Sequence, residues 1–367
     1  MRFVRASCGR SHTVCVDAEG RAWAFGGNKC GQLGIGSIKG KKGAKPSDIG
    51  DTRPDATECA IDAAAYGRVA DVACGGDFTL WLTEAGKVLS AGHPQHGALG
   101  HGTDHEYNQS VARINLGYEP QPSPRPIRGF GDKKIVRIAC GVSHSIAVDE
   151  DGGVWTWGCG DYGRLGHNEQ KDEFAPRRIR MFADRMACPT DYGVASAGST
   201  WSAVTGAAGQ LYVWGKLKLT GDTQMYPLAF MDLSGWNIRD MASGNMINVV
   251  AAESSCIAWG TSQGYGELGY GAGGPKSSAN PRKVDQLEGK KVLKVGAGLV
   301  SYAVIVDMSA EDAKKEFPTV DTLPNGAAAA AAAEPASKGI KRKAAPGRGR
   351  GRGAKAGRGG RGGRGTK

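Results

Sequence analysis

The sequence predicts an all-β fold, a propeller of small antiparallel sheets, followed by a basic tail unable to build a core. Three observations carry this. A glycine-punctuated phrase recurs along the 367 residues. Its copies consist of short β-branched and aromatic runs bounded by Gly. The excess positive charge is confined to the last stretch, from Pro335 to Lys367, which holds 12 Lys/Arg and no acid.

The phrase comes first. "SCGRSHTVCVDAEGRAWAFGGNKCGQLGIG" (Ser7–Gly36) returns at Ala73–Gly102 and Ala139–Asn168, each copy 30 residues long and each start 66 residues after the last. Seven positions are identical in all three: in the first copy Cys8, Gly9, Gly20, Gly26, Gly31, Leu33 and Gly34. Weaker copies cover Ser196–Gly215 and Ala242–Gly271, and a half copy covers Gly296–Asp307. The interval from the first glycine to that of "FG", "AG" or "WG" is 17 residues in four copies and 16 in the fifth. Repetition at this period signals an array of like units before it signals anything else.

Each unit reads as strands. "HTVCV" and "HSIAV" are β-branched; "RAWAFG", "GVWTWG" and "QLYVWG" are aromatic and end on Gly. The acidic-Gly stretches "DAEG" and "DEDG" between them suit hairpin turns. No 3.6-residue apolar period appears within the phrase. Four short strands per copy make a propeller blade, and radial repetition protects the edges of such sheets. The blades are expected near residues 5–36, 69–102, 135–168, 194–220, 238–271 and 292–307, within a body spanning 1–307.

Cys8-Gly9 with His12, Trp157-Gly158, and Gly163-Arg164-Leu165-Gly166 resemble the repeat of the regulator of chromosome condensation family: Cys-Gly-x-x-His, Trp-Gly, Gly-x-Leu-Gly. The longer phrases Tyr162–Arg177, Met225–Asp240 and Gly266–Ser278 resemble one member more closely than the generic repeat. The resemblance spans about Val4 to Asp307 and implies a seven-bladed β-propeller. This chain offers five full repeats plus a half, with the apparent deficit at its N-terminal side. A six-bladed or gapped ring is therefore expected. The resemblance also implies small-GTPase partners of Rac, Ral or Ran type, guanine nucleotide exchange, and association with chromosomes, the spindle midzone and cell division. It places the protein in the nucleus, the nucleolus and mitotic structures included, and in the cytoplasm.

Charge and cysteine fit that picture. Outside the tail, 35 basic residues face 36 acidic ones, so the net charge of +11 belongs to the tail. None of the nine cysteines forms a Cys-x-x-Cys pair. Cys8, Cys74 and Cys140 share one repeat position, as small residues packed beside Gly do, and a reducing compartment is expected. "MRFVRASCGR" shows no apolar signal core, and no stretch is long and apolar enough for a membrane helix.

Several motifs fit packing or plain loops better than chemistry. His12 and His144 occupy a slot that holds Phe78 in the second copy, so they are packing residues. Trp157, Trp214 and Trp259 share the position of Phe25 and belong to blade cores. Gly158–Gly163 and Gly264–Gly269 spell Gly-x-Gly-x-x-Gly but lack the strand-turn-helix context of dinucleotide binding. In "GAGGPKSS" (Gly271–Ser278), Pro275 removes a donor that a phosphate cradle would use. His93, His96, His101 and His105 are dense, but their spacing matches no standard zinc module and His101 holds a variable repeat position. No catalytic constellation, cofactor or metal is expected, and the chain is read as non-enzymatic.

The candidate partner contacts are the loop residues Asp161, Asp172, Glu173, Glu267 and Lys276. The insertions Ser37–Arg68 and Thr103–Lys134 exceed ordinary loop lengths and are expected to be solvated loops, some of them contact surfaces. A linker (308–334) with a run of seven alanines (Ala327–Ala333) precedes the basic tail (335–367), which is expected to be disordered. In the tail, Lys341, Arg342 and Lys343 read as a nuclear import signal. Arg348, Arg350, Arg352, Arg358, Arg361 and Arg364, set among Gly, suit chromatin or RNA by phosphate contact and base stacking. The alternative function is thus an RNA-binding protein acting through its Arg-Gly-Gly tail, with the propeller as docking module.

Overall fold

The computed structural model describes residues 2–38 and 52–307, apart from 112, 184–185, 219–220, 262–263, 265, 272–273 and 299–300. The linker, the basic tail and residues 39–51 of the first insertion lie outside the described residues. The first sheet runs β1 (Phe3–Cys8), β2 (His12–Asp17), β3 (Ala22–Gly27), β4 (Thr52–Glu58). One helical turn, α1 (Ala63–Tyr66), capped by the Asp62 carboxylate, leads to the second blade. That blade is β5 (Val69–Cys74), β6 (Phe78–Thr83) and β7 (Val88–Gly92); a separate hairpin of β8 (Glu106–Asn108) and β9 (Leu116–Tyr118) then precedes its outer strand β10 (Gln121–Pro126). The third holds β11 (Ile135–Cys140), β12 (His144–Asp149), β13 (Val154–Gly158) and β14 (Glu173–Arg178). The fourth holds β15 (Ala195–Ala197), β16 (Trp201–Thr205), β17 (Leu211–Gly215) and β18 (Gln224–Ala229). The fifth holds β19 (Ile238–Ser243), β20 (Ile247–Ala252), β21 (Ser255–Gly260) and β22 (Ser278–Lys283), and a half-blade pairs β23 (Lys291–Ala297) with β24 (Tyr302–Asp307).

The inner strands meet in succession: β1 against β5, then β11, β15, β19 and β23. Residues of all six, from Ala6–Cys8 round to Gly296–Ala297, line one central channel. Among the described residues this is a gapped propeller of five four-stranded blades and a two-stranded half-blade. The inner strand of a following blade is largely covered, as in β5, but Phe3 and Val4 of β1 are exposed. On the other flank β24 alternates between half-buried and exposed, where its counterpart β20 is buried throughout.

The core lies between blades. Leu33 and Val14 of the first blade close on Trp81 and Val72 of the second; Leu99 and Phe78 close on Trp157 and Ile138 of the third. The same layering joins Ile179 to Trp214, Trp201 to Ile257, and Leu268 to Val292. Each fully buried side chain of this size is worth about 2 kcal/mol.

The repeated glycines follow from the same contacts. Gly31, Gly97 and Gly163 hold φ of +80°, +73° and +68°, and a Cβ on them would lie 2.6, 2.5 and 2.7 Å from Cα of Pro122, Phe174 and Met225 on the next blade's outer strand. Gly9, Gly141 and Gly244 have ordinary φ but no room, since a Cβ would come within 2.5, 2.3 and 2.0 Å of the carbonyls of Gly75, Gly198 and Gly298 in the next blade.

The outer strands share a device. Each breaks its register over three residues or more and holds proline inside the break: Pro54, Pro122 with Pro124, Pro176, Pro227 and Pro281. Proline cannot donate to a ladder, so it fits where no donor is needed, and it blunts an edge. The break also frees carbonyls for the preceding blade. Gly36 N–H donates to Pro122 O (2.9 Å), Gly102 N–H to Phe174 O (2.8 Å) and Asn168 N–H to Met225 O (2.9 Å).

One expectation is corrected. The insertions are not plain solvated loops: Ser37–Arg68 supplies β4 and α1, and Thr103–Lys134 supplies β8, β9 and β10. The variable position of His101, which holds Ile35 in the first copy, is again histidine in the third. His101 and His167 are equivalent; each bonds a strand hydroxyl, Ser90 (2.9 Å) or Thr156 (3.0 Å), which in turn donates to Leu99 O or Leu165 O.

Candidate functional site

Antiparallel strands put the turn after each inner strand and the loop after each third strand on one face. The hairpin turns, such as Asp17–Arg21 and Asp149–Gly153, lie on the other. The two faces are held differently. On the hairpin face Asp149, fully buried, accepts the N–H groups of Asp151 (3.1 Å) and Gly153 (2.7 Å) and the Trp155 indole (2.8 Å). Asp17 does the same for Glu19, Arg21 and Trp23. These carboxylates are consumed by turn formation.

The loop face is knitted blade to blade. His12 Nε2 lies 2.9 Å from Thr79 Oγ1 and His144 Nε2 lies 2.8 Å from Ser202 Oγ, both in the next blade. Each hydroxyl spends its own proton on a carbonyl, Gln32 O or Arg164 O, so the imidazole is the donor. Both rings are buried and neutral: burial pushes His12 down to about 4 and His144 to about 3. Beside them, Cys74 and Cys140 donate their thiols to Ser7 O and Ala73 O of the preceding blade. Burial pushes the Cys74 thiol up to about 12 and Cys140 upward too, so neither is a nucleophile. These side chains are structural, as their repeat positions predicted. Trp157 and Trp214 donate to Ala98 O (3.1 Å) and Arg164 O (2.8 Å) of the preceding blade and are fully buried; Trp259 is buried as well.

Between the first and second blades this face opens into a cleft of about 920 Å³, lined among others by Arg10, Lys29, Asp77, His93 and His96. Arg10 spans it, its guanidinium 2.8 Å from Asp77 Oδ2. Burial lowers the pKa of His93. Further round, Arg164 lines the channel mouth and donates to Asp161 O (2.8 Å) and Ser199 O (2.9 Å). Arg164 and Lys216 flank the ring of Tyr162, which is 39% exposed. The face thus offers cations, an exposed aromatic and a concavity on a framework fixed by interblade bonds.

The five candidate contacts separate on this face. Asp161 is exposed at the turn after β13. Asp172 is turned inward, accepting Gly160 N–H (2.8 Å) and bonding His96 Nδ1 (2.8 Å) of the preceding blade. Glu173 is paired with Arg177 (2.6 Å). Glu267 and Lys276 belong to the fifth blade, beyond the whole fourth blade; Glu267 accepts Gly264 N–H (3.4 Å) and Lys276 is exposed. Asp161 and Lys276 remain open to a partner, while Asp172 and Glu173 serve the fold first. Sequence reasoning missed Arg10, Lys29 and Asp77, whose repeat positions vary from copy to copy. The tail residues from Lys341 to Arg364 lie outside the described residues.

Residues 1–304 match the family described as the RCC1-like domain. A Xenopus laevis protein, "Protein RCC2 homolog", is 37% identical over 305 residues, covering 78% of this chain and 55% of the relative. The chain thus spans about half the length of this curated relative. Among solved structures, human WBSCR16 aligns with a TM-score of 0.66 at 21% identity, over 84% of this chain and 75% of that one. Prp20p from Saccharomyces cerevisiae aligns with a TM-score of 0.56 at 19% identity, over 85% of this chain and 84% of that one.

Proposed function

The chain belongs to the RCC1-like domain family, and on that premise we propose that it is a non-enzymatic docking protein whose loop face binds a small GTPase of Rac, Ral or Ran type in the nucleus and on mitotic chromosomes. The observation that carries the reading is the cleft bounded by Arg10, Lys29 and Asp77 on a face locked by interblade hydrogen bonds. A preformed concave surface lowers the ordering cost of binding. It also suits exchange, which requires only tighter binding of the nucleotide-free GTPase than of the loaded one and no catalytic side chain. Prp20p, a fold neighbour, is described with binding properties toward Gsp1p and histones, which supports partners of these kinds. The test is release of fluorescent GDP from a panel of purified GTPases, with and without the chain, together with capture of their nucleotide-free forms. Acceleration or capture of one member supports the reading; neither with any member ends it.

A second reading rests on the tail, where 12 Lys/Arg stand without one acid. There the chain binds RNA weakly per residue, with little sequence preference and a steep loss with salt. Filter binding of the full chain and of a truncation at Pro335 across a salt series tests this. Unchanged affinity on truncation removes it.

A further inference from the structure

A second feature of the loop face is independent of any GTPase. A ring nitrogen of His96, Cys159 Sγ and an Asp172 carboxylate oxygen lie within 4.8 Å of one another. They come from two blades: His96 from the loop after β7, Cys159 and Asp172 from the stretch between β13 and β14. We propose that these three residues form a zinc site that staples the second blade to the third at the edge of the cleft.

The local backbone fixes the donors. His96 holds a left-handed conformation (φ 62°), uncommon for a side-chain-bearing residue. Cys159 is buried, and its N–H donates to Ser143 O at 2.9 Å. Asp172 is held through its other oxygen by Gly160 N–H at 2.8 Å. Gly160 has no space for a side chain, since a Cβ there would lie 2.0 Å from Lys171 O. The Lys171–Asp172 backbone is thereby pressed onto the cysteine loop. This leaves the second Asp172 oxygen, 2.8 Å from His96 Nδ1, as the ligand facing the histidine.

The donor set selects the metal class. One imidazole nitrogen, one sulfur and one carboxylate oxygen suit zinc, whereas magnesium and calcium take oxygen and avoid thiolate. Zinc favours four ligands, so three protein donors leave one position for water; His96 also lines the cleft. On binding, the His96 ring coordinates through Nδ1 with its proton held on Nε2, and the Cys159 thiol proton leaves to solvent; no electron is transferred.

The full-length chain, stripped with a chelator, is titrated with Co²⁺ as a spectroscopic stand-in and then with Zn²⁺ in competition. The expected result is a single tight site with a thiolate-to-cobalt charge-transfer band and tetrahedral d–d bands, displaced by Zn²⁺, and a higher Tm with Zn²⁺. Cys159→Ser, nearly isosteric, should abolish the charge-transfer band. His96→Asn, which tolerates the left-handed backbone, and Asp172→Asn should each weaken binding roughly 10-fold or more. Absence of a charge-transfer band overturns the proposal. So does a band that persists in Cys159→Ser, because eight other cysteines are then the source. Zn²⁺ affinity unchanged in both His96→Asn and Asp172→Asn overturns it as well.

Discussion

Two buried imidazoles make stability fall with acid. His12 and His144 have folded pKa values of about 4 and about 3, against 6.5 when exposed. A base with a depressed folded pKa is more protonated in the unfolded chain, so its contribution is present above 6.5 and is lost as pH falls through the window below. Lowering pH from 7 to 5 protonates each ring in the unfolded state but not in the folded one. The cost is about 2 kcal/mol per ring, or about 4 kcal/mol for the pair. Burial sets the depression: each ring is packed under Gly9 or Gly141, where a Cβ would lie 2.2 or 2.3 Å from the imidazole Cε1, and is cut off from the water that would solvate its charge. The assay is urea unfolding at intervals between pH 7 and pH 5, on the wild type and on His12→Phe/His144→Phe. Phe78 already fills the equivalent slot in the second blade, so the double variant should fold. It should lose about 4 kcal/mol less over that interval than the wild type does. Parallel pH profiles for the two proteins would refute the reasoning.

Gly97→Ala meets both a φ of +73° and Phe174 Cα at 2.5 Å, whereas Gly102→Ala meets a φ of +84° in open space. Urea melts should show the first losing about 3 kcal/mol or more and the second about 1 kcal/mol; equal losses would mean that the interblade contact is unimportant. Trp157→Ala removes a fully buried ring and its bond to Ala98 O, and should cost about 3 to 5 kcal/mol by the same assay. Asp149→Asn places an amide donor among the three N–H groups that Asp149 accepts, and should cost about 1 to 3 kcal/mol in Tm-derived stability, with a loss below about 0.5 kcal/mol contradicting the turn-capping role.

What could be read in the sequence was whatever repeats. Gly9, Gly141 and Gly244 recur because each backs onto the next blade, and with Gly75, Gly198 and Gly298 at the same repeat position their spacing announced the blades and the half-blade. The outer strands were hidden. "TRPDATE" and "EFAPRR" carry proline, which reads as loop, and only the register break explains how such residues pair. The zinc-type cluster was hidden for another reason: His96 and Asp172 are 76 residues apart, and only the step from one blade to the next joins them. The cleft was hidden because Arg10, Lys29 and Asp77 are the residues that differ between copies, and repetition draws attention to those that do not.

The most direct test of the docking account is hydrogen exchange on the full chain, with and without an excess of the nucleotide-free GTPase that it captures. The account predicts added protection in the loop-face segments bordering the cleft, residues 26–36 and 92–102, with the hairpin turns at Asp17–Arg21 and Asp149–Gly153 unchanged. Protection confined to those hairpin turns, or no change on either face, would contradict it.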